Sequence, residues 1–378
     1  MASQPDFSRK RFLVIDDLVE ARSMVRETLK DAGAVNVDVA MSANAAMEYL
    51  RTRRYDLILS DYNLGRGKDG QQILEEARLN ELIPHTAAFI MITAETSPEM
   101  VMGALEYQPD GYITKPFTRA ELKKRLLRMM TQKEQLKPLN LLLDEKDHHA
   151  ALDCCEAMLE TLPALSGKLL RIRGELLIEL QQYDDARRFY ALQLKERQMP
   201  WALYGLARAC FFMQDYDKAS EYLDKLMLDN QYFVRADDLM ANVMEQRGNL
   251  AEAETILIKA IEKSPKAVLR QMALARIATM NQHWPIAEQA SKRAIILANH
   301  SVYRTADNYL TFIDAVVQQA ESGARPDRTT LNQVDEALST LSNDFDEVRT
   351  DDRTRLSQRY YALFPERHAK PAKGQAHA

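Results

Sequence analysis

Cysteine is scarce in this sequence, and long hydrophobic runs are missing from it. Three cysteines occur in 378 residues, and the adjacent pair Cys154 and Cys155 suits neither a disulfide framework nor a metal site. We therefore expect reduced thiols in a cytoplasmic protein. No apolar stretch approaches the roughly 18–20 residues that a membrane span needs. The first such stretch is short and ends at Asp16 and Asp17, which is atypical of a secretory signal.

A surplus of positive charge is missing as well. The formal net charge is −5, which argues against nucleic acid as the main partner. With 46% hydrophobic and 28% charged residues, the composition is that of an ordinary globular protein, and 378 residues allow two or three domains.

Short apolar runs alternate with helical periodicity in the first third of the chain. Strands are predicted at residues 12–15, 35–41, 57–60, 89–93 and 111–114. Helices are predicted at residues 18–32, 45–53, 71–80, 97–107 and 119–130, the last of them capped by Thr118. Continuous apolar strands separated by helices predict a parallel sheet that is covered on both faces.

Polar residues stand where these strands end. Asp16 and Asp17 follow the first strand, Asp61 the third and Lys115 the fifth, while Thr93 ends the fourth. Ligands of parallel sheets bind beyond these carboxyl ends, and three carboxylates in one pocket need a counter-charge such as Mg²⁺. Asp61 could then accept a phosphoryl group whose oxygens are held by Thr93 and Lys115. A single aspartate after a strand is usually a turn former, but this set argues against coincidence.

These motifs resemble the response-regulator receiver domain of two-component signalling. The matching segments are VIDD (14–17), LILSDYNL (57–64), MITAE (91–95) and GYITKPF (111–117), within residues 8–130. The resemblance implies an α/β flavodoxin-like fold with strand order 2-1-3-4-5. It also implies that Asp61 is the phospho-acceptor and Asp17 a direct Mg²⁺ ligand. Asp16 would act mainly through metal-bound water, and Asn63 through its backbone carbonyl.

The same resemblance assigns a switch and a partner. Thr93 and Lys115 would sense the phosphoryl group, and Tyr112 would turn inward when Thr93 moves. The phosphodonor would be a sensor histidine kinase or a phosphotransfer protein. Many receivers carry a proline where this chain has Gly65, and the next matching glycine, Gly70, comes one residue late. We expect these glycines to loosen the loop and to affect the rate of phosphoryl loss.

The rest of the chain contains a sequence repeat. The segments QQYDDAR (181–187), QDYDKAS (214–220), GNLAEAE (248–254) and QHWPIAE (282–288) share an alanine at intervals of 33, 34 and 34 residues. A small residue stands twelve positions before each alanine, namely Gly174, Ala207, Ala241 and Ala275. Paired small residues let the two helices of a hairpin approach closely, and each hairpin must stack on its neighbours.

This pattern resembles the tetratricopeptide repeat, which implies an all-α superhelical array. We predict a linker helix and a degenerate first repeat at 131–166, with Ala151 near the expected register. Repeats with a capping helix follow at 167–321, further helices at 322–364 and a disordered tail at 365–378. The first helix of each hairpin would line a groove. The candidate groove residues, each of which alone is typical of a solvated polar face, are Arg173, Tyr204, Arg208, Asn242 and Arg276.

The combined pattern predicts a response regulator in which Mg²⁺-dependent phosphorylation of Asp61 switches a protein-interaction region. The groove would bind an unidentified protein, no membrane contact is expected, and a homodimer is a further option. Two alternatives stay open. One is an enzymatic output, although residues 131–378 show no phosphate loop, metal-ligand spacing or nucleophile elbow. The other is a DNA- or RNA-binding regulator, although a helix-turn-helix with a basic recognition helix is missing.

Overall fold

Five parallel strands form one sheet in the order β2-β1-β3-β4-β5, as the receiver resemblance implies. The computed structural model describes residues 5–65, 67–94, 109–347 and 349–368. The strands are β1 (Arg11–Ile15), β2 (Asn36–Ala40), β3 (Leu57–Asp61), β4 (Ala88–Thr93) and β5 (Gly111–Thr114). Because all five run in the same direction, their carboxyl ends meet at one edge of the sheet.

Helices cover the sheet in the order that the periodicity predicts. Those described are Val19–Asp31, Ala43–Thr52, Gly70–Leu79 and Arg119–Gln135. The predicted helix at 97–107 lies outside the described residues. Capping explains where two helices begin, because Asp69 exchanges hydrogen bonds with Gln72, and Thr118 does so with Glu121. Thr118 is the cap that the sequence predicts.

The sheet is buried on both faces, which is why its strands are continuously apolar. Alternate side chains of one strand enter opposite layers of the core. Leu13 and Ile15 of β1 pack in one layer with Ile58, whereas Phe12 and Val14 pack in the other layer. The polar groups of the site therefore come only from strand ends and from the loops that follow them.

No break in structure occurs at the predicted boundary of residue 130. The helix Arg119–Gln135 runs across it, and Lys137–Asp144 begins after one intervening residue, Leu136. Leu136 is fully buried and packs with Leu139 in an apolar cluster of the following helices. The chain forms two compact units, Met1–Val243 and Met244–Ala378, so the first unit contains both the sheet and several helices.

The remainder of the described chain is helical. Its helices are His148–Thr161, Ser166–Glu179, Tyr183–Glu196, Pro200–Phe212, Tyr216–Asp229, Val234–Gln246, Leu250–Lys263, Val268–Met280, Trp284–Ala298, Ala306–Glu321, Arg328–Asp344, Thr350–Leu363 and Pro365–His368, and two 3₁₀ segments are Phe7–Arg9 and Pro163–Leu165. Among the described residues, no helix is both long enough and apolar enough to cross a membrane.

The sequence period of this region is also a backbone period. A residue with left-handed φ stands five positions before each repeat alanine: Gln181 (58°), Gln214 (61°), Gly248 (77°) and Gln282 (58°). Lys146 has a φ of 59° and stands five positions before Ala151, the alanine of the predicted degenerate repeat. All five alanines are fully buried. Each hairpin therefore turns in the same way before its second helix.

The C-terminal prediction needs a correction. The predicted disordered tail, 365–378, begins with the short helix Pro365–His368. The side chain of Arg367 is buried there, and its Nη1 donates to Asn332 at 2.7 Å and to Asp335 at 3.1 Å. An ion pair with a preceding helix thus orders residues whose composition predicts disorder. Residues 369–378 lie outside the described chain.

Two glycines make room for one buried tyrosine in the first unit. Tyr190 is 1% exposed, and its ring lies against Gly174 and Gly205 on two neighbouring helices. A Cβ atom would lie 2.4 Å from the ring hydroxyl at Gly174 and 2.2 Å from the ring at Gly205. The small residue at position 174 therefore serves this contact, as the pairing of small residues predicts.

We expect Gly205→Ala to lower the free energy of unfolding by about 1–3 kcal/mol, because the new methyl group overlaps a ring that cannot move away. Urea unfolding followed by far-UV circular dichroism measures this change. Gly167→Ala is the matched control, since that helical position has open space around it. It should be neutral or stabilising by up to about 1 kcal/mol. Equal losses in both variants would contradict the packing explanation.

Candidate functional site

Three carboxylates meet at the carboxyl edge of the sheet. Asp16 and Asp17 follow β1, and Asp61 is the last residue of β3; their ligand oxygens lie within 4.8 Å of one another. Asp16 is 4% exposed and Asp61 7% exposed, whereas Asp17 is open to solvent. Hard oxygen donors so close together, with one of them facing solvent, fit a Mg²⁺ ion.

The ammonium group of Lys115 lies beside these acids. Its Nζ is 3.0 Å from Asp16 Oδ2 and 2.8 Å from Asp61 Oδ2. The lysine follows β5, and its backbone amide donates to the Thr93 carbonyl at 2.6 Å. The structure therefore brings Asp16, Asp17, Asp61, Thr93 and Lys115 to one edge of the sheet.

Burial and charge act in opposite directions on the pKa values of Asp61 and Lys115. Burial raises the pKa of Asp61, and the negative charge of Asp16 adds to that effect, while Lys115 opposes it. Burial alone would lower the pKa of Lys115, but hydrogen bonds to Asp61 and Asp16 and their charges raise it. The lysine therefore remains an ammonium ion, which can hold anionic oxygens at the site.

The predicted switch residues lie on the two strands next to Asp61. Thr93 ends β4, is 1% exposed and stands opposite Thr114 of β5. Tyr112 is half-buried on β5, stands opposite Met91 and packs against the core. The inward turn of Tyr112 stays a prediction.

The loop after β3 approaches Asp61 closely at its far end. The Gly70 amide donates to the Tyr62 carbonyl at 2.8 Å, and a Cβ atom at Gly70 would lie only 2.2 Å from the Asp61 carbonyl oxygen. Gly70 is thus needed for space, whereas the sequence suggests only loop freedom. Asn63 is exposed in this loop, and its Oδ1 accepts a hydrogen bond from Gly65 at 3.2 Å.

Arg22 contacts the site although it is absent from the predicted set. Its Nη1 donates to the Asp16 carbonyl, while the Asp16 Oδ1 accepts from the Leu18 amide at 2.9 Å. Both contacts fix the loop after β1. The position of Arg22 in the sequence could have identified it, because it lies one turn inside the helix that follows the two acids.

The candidate groove residues do not all share one face. Tyr204 and Arg208 lie one turn apart on the helix Pro200–Phe212 and contact each other. Arg173 instead pairs with Glu156 at 2.7 Å and lies over the Phe189 ring, which places it apart from those two. Asn242 is exposed, and in the second unit Arg276 forms an ion pair with Glu245.

Comparison with known proteins identifies the sheet domain. Residues 12–127 match the family model of the response regulator receiver domain. Over 116 residues the chain is 34% identical to chemotaxis protein CheY-3 of Vibrio cholerae, covering 31% of this chain and 88% of that protein. This chain belongs to the response-regulator receiver family. It is also 28% identical to chemotaxis protein CheY of Pseudomonas aeruginosa, across 31% of this chain and 92% of that protein.

Solved structures include similar receivers. The chemotaxis response regulator CheY4 of Vibrio cholerae is 31% identical, with 32% of this chain and 98% of that chain covered and a TM-score of 0.29. Receiver domains generally bind Mg²⁺ at an acidic pocket, which here corresponds to Asp16, Asp17 and Asp61. Receiver domains also interact with histidine kinases or phosphotransfer proteins.

We expect Asp17→Asn to weaken Mg²⁺ binding on the order of tenfold or more, because affinity for this ion depends on the number of charged ligands. Isothermal titration calorimetry with MgCl₂ measures the change. Asp229→Asn, which removes an exposed carboxylate at the end of another helix, is the matched control and should bind as the unchanged protein does. Unaltered affinity in Asp17→Asn would remove this residue from the ligand set.

Proposed function

We propose that this protein is a response regulator in which phosphorylation of Asp61 controls the binding of a partner by the helical region. The observation that carries the proposal is the position of Asp61. Its carboxylate lies at the strand end, beside two further acids and 2.8 Å from the Lys115 ammonium. Such a site can hold a divalent cation and a phosphoryl group together.

The proposed chemistry is transfer of a phosphoryl group from a phosphohistidine of the donor protein. An Asp61 carboxylate oxygen attacks phosphorus, the O–P bond forms as the P–N bond breaks, and the imidazole leaves with the electron pair of that bond. Lys115 donates hydrogen bonds to the phosphoryl oxygens, and the Thr93 hydroxyl moves toward these oxygens and donates a further hydrogen bond. Bound Mg²⁺ would supply charge neutralisation, with Asp16, Asp17, Asp61 and the Asn63 carbonyl holding it.

The rim of the site offers a contact for a protein donor. Leu18 is 55% exposed and Val19 is 61% exposed, and both directly follow Asp17. Exposed apolar side chains directly after an acid of the site suit a protein surface better than a small phosphodonor.

We expect Asp61→Asn to abolish incorporation of phosphate from acetyl phosphate in the presence of Mg²⁺, because the amide cannot act as the nucleophile. A Phos-tag gel, or the intact mass with its gain of one phosphoryl group, measures the product. Asp56→Asn removes the carboxylate at the opposite end of the same strand and should label normally. Equal labelling of Asp61→Asn would place the acceptor elsewhere and overturn the proposal.

The proposed output region is a tetratricopeptide-type array, beginning with a degenerate repeat within 131–166. Its support is the shared register of sequence and backbone, since each left-handed residue from Lys146 to Gln282 precedes a buried alanine by five positions. Regular hairpins of this kind leave one face of their first helices open to a ligand.

A buried ion cluster joins the sheet to this region. Lys133 is 8% exposed, and its Nζ is 2.7 Å from Asp110 and donates to the His85 carbonyl at 2.8 Å. Asp110 also pairs with Arg78 at 3.1 Å and accepts from the Phe89 amide at 3.0 Å. Burial would raise the pKa of Asp110, but the two cations outweigh it and lower that pKa.

The next helix adds a second attachment. The Asp144 carboxylate accepts hydrogen bonds from the His85 amide at 2.5 Å and from the Thr86 hydroxyl at 3.0 Å. The helix Arg119–Gln135 begins near Lys115 and ends at this cluster. A shift of β4 and β5 on phosphorylation would therefore reach the helical region through rigid elements rather than through a flexible linker.

We expect Lys133→Met to uncouple the two regions and to lower the free energy of unfolding by about 3 kcal/mol, because Asp110 loses a buried partner. Hydrogen–deuterium exchange of residues 137–161, with and without beryllofluoride, measures the coupling. The unchanged protein should show a difference that Lys133→Met loses. Lys124→Met, an exposed site on the same helix, should retain it. An unaltered difference in Lys133→Met would contradict this route.

A further inference from the structure

Side-chain contacts link three consecutive first helices of the proposed hairpins, all of them at residues of the first unit. The helices are Ser166–Glu179, Pro200–Phe212 and Val234–Gln246. On the middle helix, Trp201, Tyr204 and Arg208 stand three and four positions apart and therefore on one face. The arginine strip is the surface formed by these three residues together with Arg171 and Arg235.

Aromatic rings hold the guanidinium groups of the arginine strip. Arg171 lies 5.8 Å from the centre of the Trp201 ring, and Arg235 lies 4.9 Å from that of Tyr204. Arg208 is 5.8 Å from the Tyr204 ring on the same side of the helix. Stacking on a ring restricts a guanidinium while its N–H groups stay available at the edge.

Two of these arginines have no carboxylate partner among the residues that the structure describes. Arg208 forms an ion pair with Glu175 at 2.5 Å, but Arg171 and Arg235 form only their ring contacts. Elsewhere in the first unit, Arg173, Arg187 and Arg188 are all paired with acids. The arginine strip thus presents two oriented cations whose charge the described residues do not balance.

We propose that the arginine strip binds an acidic segment of a partner protein, with one carboxylate at Arg171 and another at Arg235. This inference rests on the proposed function, because it names the chemistry of the partner that the helical region would bind. Packed helices lie about 8–10 Å apart, and an extended chain advances about 3.3 Å per residue. The helices of Arg171 and Arg235 lie on either side of the middle helix and are therefore about 16–20 Å apart. That span suits carboxylates roughly five or six residues apart on an extended chain. The apolar ring faces would contact the side chains between them.

A nucleic acid fits this surface less well. Glu175 is 52% exposed at its side chain beside Arg208, and the whole chain carries a net charge of −5. A polyphosphate needs many neutralising cations along its path, whereas a peptide with two or three carboxylates needs only the two that are unpaired here.

Fluorescence anisotropy with the full-length protein tests this inference. The probe is fluorescein-labelled hexaglutamate, and labelled hexalysine and a labelled uridine hexanucleotide are the comparisons. We expect hexaglutamate to bind, hexalysine not to bind, and the double variant R171A/R235A to bind hexaglutamate at least tenfold more weakly. R188A is the matched control, because Arg188 is an exposed arginine already paired with Asp184 at 2.6 Å. It should bind within about twofold of the unchanged protein.

Three results would overturn the inference. Hexaglutamate fails to bind, the double variant binds it normally, or the uridine hexanucleotide binds more tightly with the same loss in the double variant. A circular dichroism spectrum checks that the double variant is folded. Binding of hexaglutamate without a phosphodonor tests the arginine strip alone, whereas a change in that binding on addition of beryllofluoride and Mg²⁺ tests the switch. Failure of this inference and failure of the phosphorylation switch can therefore be told apart.

Discussion

The contact of one ammonium group with two buried carboxylates is the interaction on which the site depends. Lys115 lies 3.0 Å from Asp16 and 2.8 Å from Asp61, and these residues come from chain segments that are far apart in sequence. Parallel strands with their carboxyl ends at one edge are what brings them together. The single positive charge of Lys115 does not balance three acids, and this uncompensated negative charge is what suits the pocket to a divalent cation.

The sheet and its polar edge could be predicted because both depend on local patterns. Continuous apolar runs mark strands buried on two faces, and Asp61 or Lys115 can be assigned to the site by standing directly after such a run. The need for Gly70 could not be predicted in this way. Its close approach to the Asp61 carbonyl depends on the path of the whole loop, which no periodicity encodes.

In the helical region, too, some residues could be predicted from local patterns and others could not. Ala186 and its equivalents could be predicted from their spacing, because the repeat imposes one environment on each of them. Lys133 and Arg367 could not, since a cation in an amphipathic helix is usually exposed, and their burial depends on Asp110 and Asp335 from distant segments. Arg173 differs for a third reason. It lies about 200° around the helix from Arg171, and residue type alone does not distinguish these two faces.

The stretch of chain that matches the receiver family is shorter than the stretch that contacts the sheet, as the ion cluster around Lys133 shows. The family match ends at residue 127, two turns before the lysine that neutralises Asp110. A fragment excised at that limit would keep Asp16, Asp17 and Asp61 but would remove the Lys133 ammonium from Asp110 at the other edge of the sheet. Among the described residues, Asp110 would then keep only Arg78 as an ion-pair partner. Grafts and chimaeras of this receiver should therefore carry the chain onward through Asp144.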